Sequence, residues 1–200
     1  RPQLGEAPMR RKFTAAATGL ALSVLFTSAV QAQSIDPATF SGTMAVGQTI
    51  TINKTITLGP SGANLVDLFF LADNTGSMYG VIDEMQSGAT TIMNNVPSGA
   101  SYEFGVGEYN EDPSEPWGPH TSYLQNQTLT SSVTAAQTAI DGWNASGGGD
   151  TPEANFYALK PMANTAAWRT GSQRIAVWFG DAWSHTATTT EIEAINALKA

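Results

Sequence analysis

From residue 65 onward the apolar positions fall into two regimes. Leu65-Val66-Asp67-Leu68-Phe69-Phe70-Leu71-Ala72 and Arg174-Ile175-Ala176-Val177-Trp178-Phe179 are short and apolar almost throughout, and each runs into a polar, acid-bearing segment. Such runs are strands buried on both faces, as in a parallel sheet. After the first, Met78, Val81, Ile82, Met85, Ala89, Ile92, Met93 and Val96 recur at helical spacing. They predict one helix of about five turns, stopped at Pro97-Ser98-Gly99. Tyr102, Phe104 and Val106 alternate within a strand over 101–109, and Tyr123 to Thr128 reads as a short edge strand. Thr130 or Ser131 is placed to cap a helix carrying Val133, Ala136 and Ile140. Pro152 suits the first turn of a further helix through Phe156, Ala158 and Leu159, and Thr190 caps a last one over 191–200.

Upstream, Met44, Val46, Ile50, Ile52, Ile56 and Leu58 follow period-2 patterning, which predicts two or three short strands before the break at Gly59-Pro60-Ser61-Gly62. Earlier still, Arg10-Arg11-Lys12, an apolar stretch from Phe13 to Phe26 and the small-x-small triplet Val30-Gln31-Ala32 form a secretory leader. Its apolar core is shorter than the ~20 residues a membrane span needs. The expected organisation is an upstream remnant (1–8), a signal peptide (9–32), a β-rich segment (33–61) and one main domain (62–200). Strand–helix alternation makes that domain α/β, with a doubly wound, mostly parallel sheet between helices. Only two central strands and their neighbours are legible before residue 200, so the domain is expected to be incomplete at its C-terminus.

Charge and composition narrow the function. Past residue 32 there are five basic and sixteen acidic residues, a net charge of −11. Such a surface repels nucleic acid and anionic membranes and is compatible with cation binding. There is no cysteine, so disulfides, thiolate metal sites and cysteine nucleophiles are excluded. With the leader, this fits an exported bacterial protein: secreted, periplasmic or at the cell surface.

The candidate chemistry lies in three loops. Asp73-Asn74-Thr75-Gly76-Ser77 leaves the first buried strand, Gly180-Asp181-Ala182 leaves the second, and Gly147-Gly148-Gly149-Asp150-Thr151-Pro152-Glu153 lies between them. In open α/β sheets, ligands bind outside the carboxyl ends of the strands. Asp73, Thr75 and Ser77, spaced i, i+2 and i+4, set one carboxylate and two hydroxyls on one side of an irregular loop. The glycines allow the second loop to approach closely, bringing Asp150, Thr151 and Glu153. Asp181 arrives from the other strand end. This is a hard-oxygen set for Mg²⁺, Mn²⁺ or Ca²⁺.

These segments, read as DNTGSM, SGGGDTPEA and GDAWSH, resemble a von Willebrand factor type A domain, and its integrin-β-like branch most closely. The resemblance covers about residues 64 to 200. It implies a six-stranded sheet between helices with a metal-ion-dependent adhesion site at its top. The family's Asp-x-Ser-x-Ser is matched by Asp73, Thr75 and Ser77, with Thr for Ser at the middle position. The second loop's ligand maps to Glu153 in the integrin-β-like pattern and to Thr151 in other branches. The third maps to Asp181. The implied partner is a protein, cell-surface or matrix ligand whose carboxylate completes the metal shell. Two features depart from the pattern. Gly80 and Val81 stand where integrin β chains have the acids of an adjacent calcium site. Asp150 matches one ligand of a further calcium site, but Gly148 replaces its side-chain partner.

Blander and rival readings attach to the same residues. Asp73 or Ser77 would serve as helix caps and Asp181 as a turn residue. The acidic loop from Glu108 to Glu115 lacks EF-hand spacing and reads as solvated. His185 reads as a packing or supporting residue. Trp117, Trp143 and Trp183 fall in predicted loops and suit either a partner surface or the core. The alternative function is a metal-assisted hydrolase or other enzyme using the same loops, though no residue is singled out as its base; a serine hydrolase would set Ser77 with His120 or His185 and an Asp. The nucleophile elbow it would need fails, because Thr75 and Tyr79 flank Ser77 where glycines are required. An accessory domain of a metal-inserting ATPase is disfavoured by the leader, and no phosphate-cradling Gly-x-x-x-x-Gly-Lys loop is present.

Overall fold

The computed structural model describes residues 34–36, 53, 55–57, 65–116 and 121–200. The leader at 9–32, the remnant at 1–8, Trp117, His120 and most of the alternating segment lie outside the described residues. β2 (Thr55–Thr57) falls within that segment and pairs antiparallel with β1 (Ser34–Asp36), which precedes the alternation and is not predicted by it; Ile35 lies opposite Ile56.

The apolar run at 65 becomes β3 (Leu65–Asp73), buried at every position after the first. It pairs in parallel with β4 (Ser101–Tyr109) on one side and β6 (Gln173–Phe179) on the other. β5 (Leu124–Thr130) adds antiparallel to β4, giving the order β5-β4-β3-β6. The sheet is thus α/β and mostly parallel, with the antiparallel strand at an edge.

Strand side chains alternate between faces, and the two cores follow that alternation. Val66, Leu68, Phe70 and Ala72 join Ile175, Val177, Phe104 and Val106 under α1 (Ile82–Asn94) and α2 (Val133–Asp141). Phe69 and Leu71 face the other way, against α3 (Asn155–Thr165) and α4 (Glu191–Lys199). Phe69 occupies a trough made by two glycines of β4. A Cβ on Gly105 would stand 2.4 Å from its ring, and one on Gly107 would stand 3.0 Å away.

Asp67 interrupts the apolar run yet is fully buried. Its carboxylate accepts from Arg169 Nε (2.5 Å), Arg169 N (2.8 Å) and Ser172 Oγ (2.6 Å). Arg169 Nη2 also donates to the carbonyls of Val66 and Ser101, both at 2.9 Å. The pair ties the amino ends of β3 and β4 to the turn before β6.

Four local expectations need correction. The five-turn helix is a 3-10 turn at Gly76–Gly80 followed by α1. Val81 N bonds back three residues to Met78 O (2.9 Å), and the four-residue ladder starts with Met85 N on Val81 O (3.0 Å). Both periods set Met78 and Met85 on the buried face, so periodicity alone did not separate them, while Val81 and Ile92 are exposed. The cap of α2 is Ser132, whose hydroxyl accepts from Ala135 N (3.2 Å); Thr130 instead holds Ser132 N (3.1 Å). Pro152 precedes α3 instead of opening it. Glu153 donates its N–H to Trp183 O and accepts from His185 N, each at 2.9 Å, and that bridge delays helical geometry until Asn155. The acidic loop after β4 is not solvated at its centre, since Glu111 and Asp112 are fully buried. Thr190 caps α4 as expected, with Glu193 closing a capping box.

Trp143 belongs to the core, edge-on to Phe179 with ring centroids 6.1 Å apart, whereas Trp183 is exposed. Among the described residues, no helix is long and apolar enough to cross a membrane.

Candidate metal centre

β3 and β6 are parallel neighbours, so their carboxyl ends open on the same side. The chain leaves β3 toward β4, then crosses back to place β6 on the other flank. That reversal makes the end of β3 a topological switch point, where α/β sheets hold ligands. Asp73 is its last residue.

Asp73 is fully buried. Its Oδ1 accepts from Thr75 N (2.9 Å) and Thr75 Oγ1 (2.7 Å). Thr75 Oγ1 lies 3.1 Å from Ser77 Oγ, and the Ser77 hydroxyl donates to Asp181 Oδ1 at 3.1 Å. The i, i+2, i+4 spacing therefore sets the three side chains in one line that Asp181 extends. Thr75, Ser77, Thr151, Glu153 and Asp181 line a cleft of about 410 Å³. Thr151 and Asp181 are exposed on it, whereas Glu153 is buried.

Backbone bonds bring the second loop there. Gly147 and Gly148 both have left-handed backbone, φ 74° and 85°, which glycine adopts without strain. That turn lets Gly147 O accept from Gly76 N (3.0 Å), while Ser146 N donates to Asn74 O (2.8 Å). Asn110 Nδ2 donates to Asn74 O (3.1 Å) and Ser146 O (2.7 Å), binding the loop after β4 into the same knot. On the far side, Asn155 Nδ2 reaches Ala182 O (3.1 Å) and Phe156 N reaches Ser184 Oγ (2.9 Å).

Burial and mutual repulsion set the electrostatics of these carboxylates. Burial, with Asp181 adding repulsion against the relief of the Thr75 bonds, raises the Asp73 carboxyl to about 6. Burial, followed by the charges of Asp73 and Glu111, raises Glu153 to about 9. Asp73 Oδ2 and Glu153 Oε2 are buried and have no hydrogen-bond partner. The Tyr109 hydroxyl accepts from Trp178 Nε1 (2.7 Å) and meets Phe179 O only at 3.5 Å, and its contact with Asp73 slightly lowers that carboxyl. Buried acceptors left unpaired cost about 1–3 kcal/mol each, and more if charged. Two carboxylate oxygens in that state beside two hydroxyls fit a small divalent ion with hard-oxygen preference.

Ser77 and His185 have different partners. Ser77 pairs with Thr75 and Asp181, while the His185 ring faces Asp150, Glu111 and Glu115. Sequence reasoning missed Glu111. Its Oε1 accepts from Gly149 N, which makes it part of the floor of the glycine loop. Its acidic neighbours masked it, since a run of acids ordinarily reads as exposed.

A comparison of the sequence with protein-family models gives no match, and neither does one with curated proteins. Among solved structures, the chain is similar to the vWF domain of the type V pili tip protein Mfa5 from Porphyromonas gingivalis. There the identity is 13%, the TM-score 0.41, and the match covers 58% of this chain and 37% of that one. It is also similar to a structure of three N-terminal domains of the same protein, at 15% identity and a TM-score of 0.40, covering 56% of this chain and 19% of that one.

Proposed function

We propose that this domain is a von Willebrand A-like module that binds a protein or surface ligand through a divalent cation. Asp73, Thr75 and Ser77, with Asp181 and Glu153 or Thr151, hold Mg²⁺, or Mn²⁺ or Ca²⁺ in its place. The bound ion supplies an electrophilic position for a carboxylate of the ligand. The observation that carries this reading is the pair of buried, unpartnered oxygens, Asp73 Oδ2 and Glu153 Oε2, beside the aligned hydroxyls of Thr75 and Ser77.

The residues divide the work. Asp73 and Glu153 contribute charge from below the cleft, where solvent screening is weak. Thr75 and Ser77 contribute neutral oxygens, which leave the ion's charge incompletely compensated and so available to an incoming carboxylate. The glycine loop keeps side chains away from that approach. With a net charge of −11 past residue 32, an acidic ligand would otherwise be repelled. The same reading places the protein outside the cytoplasm, as the leader at 9–32 implies, and assigns it no bond-breaking step.

Water-proton relaxation with Mn²⁺ as the probe tests the open position. Bound Mn²⁺ should enhance relaxation, and added acetate should lower the enhancement as carboxylate displaces water. Mn²⁺ that binds with no response to acetate, or does not bind, would set the reading aside.

A further inference from the structure

A second group of donors borders the first. Glu111, Asp150 and His185 each present one ligand atom, and these atoms lie within 4.8 Å of one another. His185 Nε2 stands 3.1 Å from Asp150 Oδ1 and 4.0 Å from Glu111 Oε2. Behind the ring, Nδ1 is 3.7 Å from Glu115 Oε1. Glu111 is fully buried, and its Oε2 faces this group without a hydrogen-bond partner. In a plain His185–Asp150 surface pair, that oxygen would remain an uncompensated buried acceptor.

The donor types decide which ion fits. Calcium takes six to eight oxygens. The family resemblance implies such an all-oxygen site at Asp150, with a side-chain partner where this chain has Gly148. Here the glycine supplies no side chain, and an imidazole nitrogen enters the set instead. Two carboxylates and one imidazole suit a borderline transition cation far better than calcium. Ligating imidazoles usually donate their second nitrogen to a carboxylate or carbonyl, and Glu115 stands where that partner belongs.

We propose that Glu111, Asp150 and His185 form a second cation site, separate from the Asp73 loop, that takes a first-row transition ion such as Zn²⁺. Glu115 is its positioning residue. The inference uses none of the first site's ligands, so either site stands or falls without the other.

Co²⁺ is the probe, because its visible absorption reports nitrogen and low-coordinate ligation directly. In excess Mg²⁺, which holds the first site, the purified protein should bind one Co²⁺ with visible bands that Zn²⁺ displaces and equimolar Ca²⁺ does not. His185→Ala and Glu111→Gln should each weaken Zn²⁺ at least about tenfold, the lower end of what loss of even an outer partner costs. Asp150→Asn, at a side chain 36% exposed, should do the same with the core intact and carries the test if either of the other variants misfolds. Asp73→Ala should keep the Co²⁺ bands. The site is overturned if the parent binds neither Co²⁺ nor Zn²⁺, if folded His185→Ala or Asp150→Asn binds Zn²⁺ like the parent, or if Asp73→Ala abolishes the bands while remaining folded. Failure of the first site reads out separately, as Mg²⁺ binding that does not depend on Asp73.

Discussion

The Ser77 hydroxyl donates to Asp181 Oδ1 over 3.1 Å, joining loops 104 residues apart in the chain. Both residues are exposed, so the bond itself adds little stability. It follows from the parallel pairing of β3 with β6, which puts both strand ends at one edge. Asp181→Asn keeps an acceptor for Ser77 and removes a charge. Mg²⁺ affinity measured by calorimetry should fall while the thermal midpoint of the metal-free protein holds or rises, because repulsion of Asp73 and Glu153 is relieved.

The hydroxyls of the first loop should grade in importance. Thr75 is buried and donates to Asp73, so Thr75→Ser retains the oxygen and should be nearly silent for Mg²⁺. Thr75→Val keeps the shape but strips the buried carboxylate of a donor, and should both weaken Mg²⁺ and lower stability by about 1–3 kcal/mol. Ser77→Ala removes one neutral ligand and should weaken binding less than loss of a carboxylate. Parallel titrations and denaturant melts check the order.

Metal-free protein should lose stability as pH rises. Asp73 titrates near 6 and Glu153 near 9 in the fold, against ordinary values of 3.8 and 4.5. Between the unfolded and folded values the native state holds more protons, so unfolding becomes easier with each step upward. Only well below the unfolded values, under about pH 3, do the two groups stop contributing slope. Melts in EDTA should show a higher midpoint at pH 5 than at pH 8, and Mg²⁺ should raise the pH 8 midpoint most. A midpoint in EDTA that climbs from pH 5 to pH 8 would contradict the raised carboxyls.

Much of this arrangement was legible in the sequence. The runs at 65–72 and 174–179 are nearly unbroken because both faces are covered, and that put Asp73 and Asp181 at strand ends in advance. The Glu153 side chain was legible as a candidate but its setting was not, since Pro152 pointed to a helix start and the bridge to Ser184 is a contact between distant segments. Periodicity merged the 3-10 turn with α1 because Met78 and Met85 share a face in both geometries. Glu111 was hidden by composition, because its burial depends on a bond to Gly149 that no local pattern encodes.

The buried ion pair at the opposite end of the sheet is a separate stability test. Asp67 is fully buried, and Arg169 supplies two of its three donors. Arg169→Met leaves an uncompensated carboxylate and should cost about 3–5 kcal/mol in chemical denaturation. Asp67→Asn with Arg169→Met should recover part of that loss. Mg²⁺ affinity of folded protein should be unchanged, because the pair lies at the amino end of β3.

Calorimetric titration of Mg²⁺ into the parent and Asp73→Ala is the most direct measurement of the central claim. Asp73 is the buried carboxylate to which Thr75 is bonded, and no neighbour in its loop can replace it. Mg²⁺ binding should be present in the parent and absent in the variant, with circular dichroism unchanged between them. A folded Asp73→Ala protein that binds Mg²⁺ and Mn²⁺ like the parent would contradict the account and leave these loops as caps and turns.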